Sequence, residues 1–116
     1  MQAPVASDAK KAMRQRIMAL RDALSADERD QGSAEITSKL VALPAYARAR
    51  TVAAFASFGT EFETDAFLAV ALRQGKRLVL PRIRPGHREL RFHFVTDLAE
   101  SLRAGRWGIR EPDPSL

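Results

Sequence analysis

Two glutamates and a pair of cations are the residues in this sequence best placed to do chemistry. Glu61 and Glu63 follow TVAAFASF at residues 51–58, a stretch rich in Val, Phe, Thr and small residues, free of proline and broken by Gly59. It reads as a strand, so both carboxylates fall just past a strand end. In open α/β sheets, ligands bind in the crevice beyond the carboxyl ends of the strands. An acid there has a second reading, because a carboxylate near a helix start complements the helix dipole with no ligand present. Lys10 and Arg14 stand four apart at the start of a predicted helix, one turn from each other on one face. Such a pair beside free backbone amides suits a phosphate chain, and is equally ordinary on a basic surface helix.

The elements that would hold these residues follow from periodicity. Met13, Ile17, Leu20 and Leu24 recur at helical spacing and predict one apolar stripe, capped by Ser7 or Asp8. Ser25-Ala26-Asp27-Glu28 spells a capping box for a second helix, with Ile36, Leu40 and Leu43 as its buried stripe and Pro44 closing it. Both helices are expected to pack on a sheet face. After the first strand, Thr64 is placed to cap a helix with Phe67, Leu68, Ala71 and Leu72 inward and Gly75 at its left-handed end. Residues 76–80 read as the next strand, which makes residues 51–80 a βαβ unit with parallel strands. Pro85-Gly86 marks a turn. Leu90, Phe92 and Phe94 then alternate with Arg91, His93 and Val95 as a half-buried strand, with His93 pointing away from the Phe face. Residues 97–102 read as a short helical turn, Gly105 and Gly108 flank an exposed Trp107, and GIREPDPSL reads as an irregular end without a strand.

Composition narrows the function classes. A chain of 116 residues, 46% hydrophobic and 28% charged, is expected to form a single α/β domain or part of one. No apolar run is long enough to span a bilayer, and the polar start at Ser7 and Asp8 is unlike a signal peptide, so a cytoplasmic location is expected. With no cysteine and only His87 and His93, neither disulfides nor a thiolate or histidine-rich metal site is available. The net charge of +5 favours an anionic partner: nucleic acid, a nucleotide triphosphate or a polyanionic small molecule. The 19 Lys and Arg are interspersed with acids, and one Trp and one Tyr supply a poor stacking platform, so nucleic acid is not the expected partner.

In order, AKKAMRQRI, LSADERDQGSAEITSKLVALPAYARARTVAAFASFGTEFET, GKRLVLPR and GRWGIREPDP resemble the N-terminal part of the 5-formyltetrahydrofolate cyclo-ligase (methenyltetrahydrofolate synthetase) family over about residues 8–112. The resemblance implies a three-layer α/β/α fold with a mainly parallel sheet, two N-terminal helices preceding the βαβ unit. It implies a ligase of folate one-carbon metabolism that converts 5-formyltetrahydrofolate to 5,10-methenyltetrahydrofolate with ATP and Mg2+. It also implies roles. Lys10 and Arg14 match the family's nucleotide-contacting Lys-x-x-x-Arg, with Lys11, Ala12 and Met13 in the same segment. Glu61 matches the folate-binding glutamate, Ala56 a position lining the folate pocket, and Pro81-Arg82 a Pro-Arg that puts Arg82 near bound anions. Glu63 is left as a helix-start acid. In the implied reaction the formyl oxygen attacks the γ-phosphate to give an imidate-like phosphate, N10 closes on that carbon, and phosphate leaves. Such chemistry depends on positioning and charge compensation.

One departure is large. The family's glycine-rich R-x-G-x-G-x-G-Y-Y-D loop, with its magnesium-binding aspartate, and the strands around it have no counterpart in these 116 residues. Backbone amides of such a loop cannot be replaced by two side-chain cations. The chain is therefore expected to have impaired activity, a less stable fold, an unpaired sheet edge and part of an apolar face uncovered. It is expected to be a monomer acting on small molecules, with no membrane partner. The alternatives are a small basic RNA-binding module using residues 82–91 with Phe92 and Phe94, and a non-catalytic fragment that keeps the first half of the fold.

Overall fold

The computed structural model describes residues 6–83, 86, 88–104 and 109–113, with backbone alone at 103 and 104. Helices α1 (Ala6–Asp22), α2 (Ala26–Val41) and α3 (Pro44–Arg48) precede β1 (Thr51–Ala53), α4 (Asp65–Arg73), β2 (Arg77–Ile83) and β3 (Leu90–Val95). A short α5 (Leu98–Ser101) then leads to β4 (Leu102–Ala104) and β5 (Arg110–Pro112). The expectations for Pro85, His87, Gly105, Trp107 and Gly108 fall outside the described residues.

Local chemistry explains several boundaries. At the start of α2 the Glu28 N–H donates to the Ser25 hydroxyl, and the Ser25 N–H donates back to the Glu28 carboxylate, so two orphan amides are satisfied reciprocally. Pro44 does not close α2, which ends at Val41. It opens α3 from its first turn, where a missing N–H costs nothing and the fixed φ suits the helix. Gly75 follows α4 with φ of +79°, a conformation in which a side chain would be strained. The Lys76 ammonium donates to the carbonyls of Tyr46 (2.9 Å), Ala47 (3.1 Å) and Ala49 (2.7 Å). It thereby satisfies the carboxyl end of α3 and lies 4.7 Å from the Tyr46 ring centroid.

The sheet is mixed, in the order β1-β2-β3. β1 and β2 run parallel across α4, as a βαβ unit requires, with Val52 opposite Leu78. β2 and β3 run antiparallel, so the sheet is only partly the parallel one expected from sequence. β1 is shorter than residues 51–58, and β2 runs longer, to Ile83. Pro81 is tolerated in β2 because of where β1 stops. The Val79 carbonyl accepts from Ala54 on the β1 side, and Pro81, two residues on, turns its missing N–H to the same side, past the end of β1. A two-stranded antiparallel pair, β4-β5, takes in residues 110–112, where the sequence pattern predicts an irregular end.

The core is small: Phe67 and Leu68 of α4 against Leu78 and Leu80 of β2 and Val95 of β3, with Leu40, Tyr46, Val52 and Phe62 around them. All of it lies on one face of the sheet. On the other face, Ala53, Val79 and Phe94 stand in register, followed by Pro81 with Phe92 and Ile83 with Leu90. The expectation that the Phe residues of β3 point inward is therefore reversed. Phe92 and Phe94 are each 55% exposed, while His93 is half-buried and Val95 is buried. The stripe on α1 is likewise uncovered: Met13, Ile17, Leu20 and Leu24 are exposed and α1 buries no residue. On α2 the inward line runs through Ser33, Thr37, Leu40 and Val41, not through Ile36 and Leu43. Both stripes have the right period but lack a second layer to cover them. None of the described helices is long and apolar enough to cross a membrane.

Candidate functional site

The connection from β1 to α4 is built as a closed loop with Glu61 near its tip. Ser57 and Thr64 form the neck: the Ser57 N–H donates to the Thr64 hydroxyl (3.0 Å) and the Thr64 N–H donates to the Ser57 hydroxyl (3.2 Å). The Thr64 side chain is thus committed to the loop and does not make the helix-capping bond expected from sequence. Within the loop, Gly59 takes φ of +62°. The Phe58 N–H donates to Glu61 Oε1 (2.7 Å) and the Glu61 N–H donates to the Phe58 carbonyl (3.3 Å), which closes the turn on its own carboxylate. Glu63 lies on the other side, exposed, with its N–H donated to the Ser33 hydroxyl (2.9 Å).

Two elements hold this loop from outside. Thr60 is anchored to the carboxyl end of α1, accepting from Arg21 Nε (3.0 Å) and donating to the Asp22 carboxylate. On the opposite flank Arg110 of β5 reaches both oxygens of Asp65, at 2.7 and 3.3 Å, and the Ser57 carbonyl at 3.4 Å. The Asp65–Arg110 pair is well exposed and contributes more to geometry than to stability. Next to it, the buried Glu111 carboxylate accepts from the Ile83 N–H at the end of β2. The β5 strand therefore ties the neck of the loop after β1 to the carboxyl end of β2.

Glu61 borders a cavity of about 240 Å³ that also takes in Arg21, Arg29, Glu28, Ile36 and Phe62. Two guanidinium groups and two carboxylates surround an apolar floor, a setting able to orient a ring system with polar edges. Hydrogen bonds from the backbone and hydroxyl of Ser25 hold the Glu28 carboxyl below the usual carboxylate range. Ala56 is buried just behind the loop. Arg82 is half-buried near the end of β2, directly opposite Arg91 of β3. Like charges so placed repel, which an anion would relieve.

The residues singled out from sequence are not gathered in one place. Lys10, Lys11, Ala12, Met13 and Arg14 are all exposed on α1, and none borders the Glu61 cavity. From Arg21, which touches the loop, Arg14 lies about 10 Å and Lys10 about 16 Å back along the helix. The supporting residues Arg21, Asp22, Ser33 and Arg110 carry no local signal of their role in the sequence, since each acts across 30 or more residues of chain. The GRWGIREPDP motif did contain Arg110 and Glu111. Among the described residues no group of three or more His, Asp or Glu is arranged to hold a metal ion.

Similarity to known proteins converges on one family. The family model of the 5-formyltetrahydrofolate cyclo-ligase family matches residues 6–116. A probable 5-formyltetrahydrofolate cyclo-ligase of Caenorhabditis elegans is 24% identical over 109 residues, 92% of this chain and 53% of that protein. The Schizosaccharomyces pombe protein of the same description is 29% identical over 85 residues, 72% of this chain and 41% of that protein. Among solved structures, the Aquifex aeolicus 5,10-methenyltetrahydrofolate synthetase superposes with a TM-score of 0.75 at 28% identity, over 89% of this chain and 51% of that one. The Mycoplasma pneumoniae synthetase gives 0.56 at 29%, over 66% and 48%. The chain spans about half the length of these relatives. With a match over residues 6–116, the chain belongs to the 5-formyltetrahydrofolate cyclo-ligase family.

Proposed function

We propose that this chain supplies the folate-side wall and part of the nucleotide side of a site for ATP-dependent conversion of 5-formyltetrahydrofolate to 5,10-methenyltetrahydrofolate. The observation that carries the reading is the loop built around Glu61: closed at its neck by Ser57 and Thr64, tied by Thr60 to α1, and bordering a cavity with polar groups around an apolar floor. In this reading Glu61 accepts hydrogen bonds from the pterin or N10 region and positions N10 to close on the activated formyl carbon. Ala56 is buried and does not border that cavity, so its part in the folate pocket would be through the packing of the loop. Lys10 and Arg14, with the intervening Lys11, Ala12 and Met13, compensate charge on the triphosphate. Arg82, with Arg91 opposite it, is a further anion contact.

Magnesium would be carried on the ATP phosphates, in keeping with its preference for phosphate oxygens and water. The distance along α1 between Arg14 and the Glu61 loop leaves the nucleotide and folate sides apart. The reaction is assigned to the cytoplasm, with ATP and the folate as partners of a monomer.

Equilibrium binding of 5-formyltetrahydrofolate and of ATP to the chain tests the assignment. Glu61→Gln should weaken folate binding by about tenfold or more with ATP binding unchanged, as loss of one hydrogen bond to a charged group implies. The double substitution Lys10→Ala with Arg14→Ala should do the reverse. If neither variant alters either affinity, the residue roles are wrong.

A further inference from the structure

The Thr60 hydroxyl gives both of its hydrogen-bonding functions to the carboxyl end of α1. Its oxygen accepts from Arg21 Nε (3.0 Å) and its O–H donates to the Asp22 carboxylate. Held between a guanidinium and a carboxylate, it makes two charge-assisted bonds, each roughly twice as strong as a neutral one and fixed in direction. Arg21 is half-buried at this contact, while the rest of α1 is exposed. Thr60 also lies inside the turn that shapes Glu61. The Glu61 N–H donates to the Phe58 carbonyl (3.3 Å), the Phe58 N–H donates to Glu61 Oε1 (2.7 Å), and Gly59 turns the chain at φ of +62°. With Oε1 so occupied, Oε2 is the oxygen of Glu61 left for a ligand. A shift of Thr60 re-aims that oxygen.

The two ends of the loop are held by different elements. At the neck, the reciprocal bonds of Ser57 and Thr64 fix it to the start of α4, whose Leu68 N–H reaches back to the Thr64 carbonyl. At the tip, Thr60 fixes it to α1. Along α1, spacings of four and seven residues put Lys10, Arg14 and Arg21 on one helix face, so a single line of cations ends at the Thr60 contact. A helix is stiff over so few turns, and a pull on Lys10 and Arg14 is passed to Arg21 and Asp22. Arg21 borders the same cavity as Glu61. Movement of α1 is therefore felt at two groups of that cavity, at Arg21 directly and at Glu61 through Thr60.

We infer that Thr60, clamped between Arg21 and Asp22, is a positioning residue that couples nucleotide binding on α1 to folate binding at Glu61. The inference rests on the reading above, which places the triphosphate on Lys10 and Arg14 and the folate at the Glu61 loop. In that reaction the formyl oxygen must meet the γ-phosphate, so both ligands gain from being oriented by one linked element. Coupling of this kind is reciprocal: the nucleotide raises the affinity for the folate by the same factor as the folate raises that for the nucleotide.

The experiment measures equilibrium binding of 5-formyltetrahydrofolate to the full chain with and without a saturating non-hydrolysable ATP analogue and Mg2+. In the unaltered chain the analogue should tighten folate binding about fivefold or more, the lower end of ordinary coupling between sites. Thr60→Val keeps the shape of the side chain and leaves Arg21 and Asp22 to water, so the fold should persist by circular dichroism. In that variant the enhancement should fall to about onefold, with binding of the analogue alone unchanged. Thr60→Ser restores the hydroxyl and should restore most of the enhancement. Asp22→Ala, at an exposed side chain outside the cavity, should lower it in the same direction and serves if Thr60→Val does not fold. A hydroxyl that only stiffened the loop would change folate affinity by the same factor with and without nucleotide. Hydrogen exchange supplies a readout with no folate present: the analogue alone should slow the Phe58 and Glu61 amides in the unaltered chain and not in Thr60→Val. Equal enhancement in the unaltered chain and in Thr60→Val, or binding of both ligands with no enhancement, would overturn the coupling and leave the site assignment standing. Absence of folate binding, or full affinity in Glu61→Gln, would overturn the assignment and the coupling together.

Discussion

Thr64→Val removes one oxygen from the neck of the Glu61 loop and keeps the shape of the side chain. Thr64 is 2% exposed, and its hydroxyl accepts the Ser57 N–H at 3.0 Å. The substitution leaves that partly buried donor without a partner, a loss worth about 1–3 kcal/mol. The reciprocal bond, from the Thr64 N–H to the Ser57 hydroxyl, survives. For a domain of this length about 1 kcal/mol corresponds to roughly 4 °C, so the midpoint of thermal unfolding should fall by roughly 4–12 °C. Ser57→Ala breaks the other half of the neck, and the double variant should cost less than the sum, with about 0.5–1 kcal/mol of coupling. Differential scanning calorimetry measures the midpoints. Hydrogen exchange at Phe58 and Glu61 reports whether the loop opens locally as well. An unchanged midpoint with unchanged exchange would show that the reciprocal bonds do not hold the loop, and the argument for a pre-formed Glu61 turn would go with them.

Three further outcomes follow from other parts of the molecule. Lys76→Met keeps the stem but strands the carbonyls of Tyr46, Ala47 and Ala49, and urea unfolding should show a loss of about 2–3 kcal/mol; a loss near zero would mean water replaces the ammonium fully. Glu28 has a folded-state pKa below its ordinary value, so its contribution is present above the unfolded-state pKa and is lost as pH falls through the folded-state one. Glu28→Gln, which preserves the capping geometry, should flatten that acid limb of the stability profile; an identical limb in the variant would refute the link. Tyr46 is the chain's one tyrosine, and burial raises its pKa above 10.0, so ultraviolet titration of the folded chain should show ionisation later than in urea. The stability it contributes is present below the unfolded-state value and falls as pH rises through the folded-state one.

Elements whose chemistry is local were legible in the sequence. The Ser25–Glu28 capping box and the left-handed Gly75 need only neighbouring residues, and both stand as the sequence implied. The parallel pairing of β1 and β2 across α4 was legible for a related reason, since a crossover of that length permits little else. What the sequence could not give was which face of a periodic element is covered. Leu90, Phe92 and Phe94 alternate with Arg91, His93 and Val95, and alternation separates the two faces without choosing between them. The register with Leu78 and Leu80 makes the choice, setting Val95 under α4 and the Phe rings outside. On α1 the period of Met13, Ile17 and Leu20 is helical, yet a covering partner is a long-range fact and none of those residues is buried. Thr64 illustrates competition: its hydroxyl had two available donors, and the Ser57 N–H across the neck won over the helix end.

The site was legible only in part. The placement of Glu61 past a strand end was read from Gly59 and the strand composition, and the residues that brace its loop were not. Arg21, Asp22 and Arg110 reach it from α1 and β5, which carry no local sign of that contact.

The central claim, a folate site at the Glu61 loop with the nucleotide on α1, is tested most directly by amide chemical shifts of the chain during titration with 5-formyltetrahydrofolate and then with ATP. The account predicts that the folate moves Ala56, Phe58, Glu61 and Phe62, and that ATP moves Lys10, Lys11, Ala12, Met13 and Arg14. Folate shifts confined to Phe92, Phe94 and their neighbours, with the Glu61 loop unmoved, would contradict it.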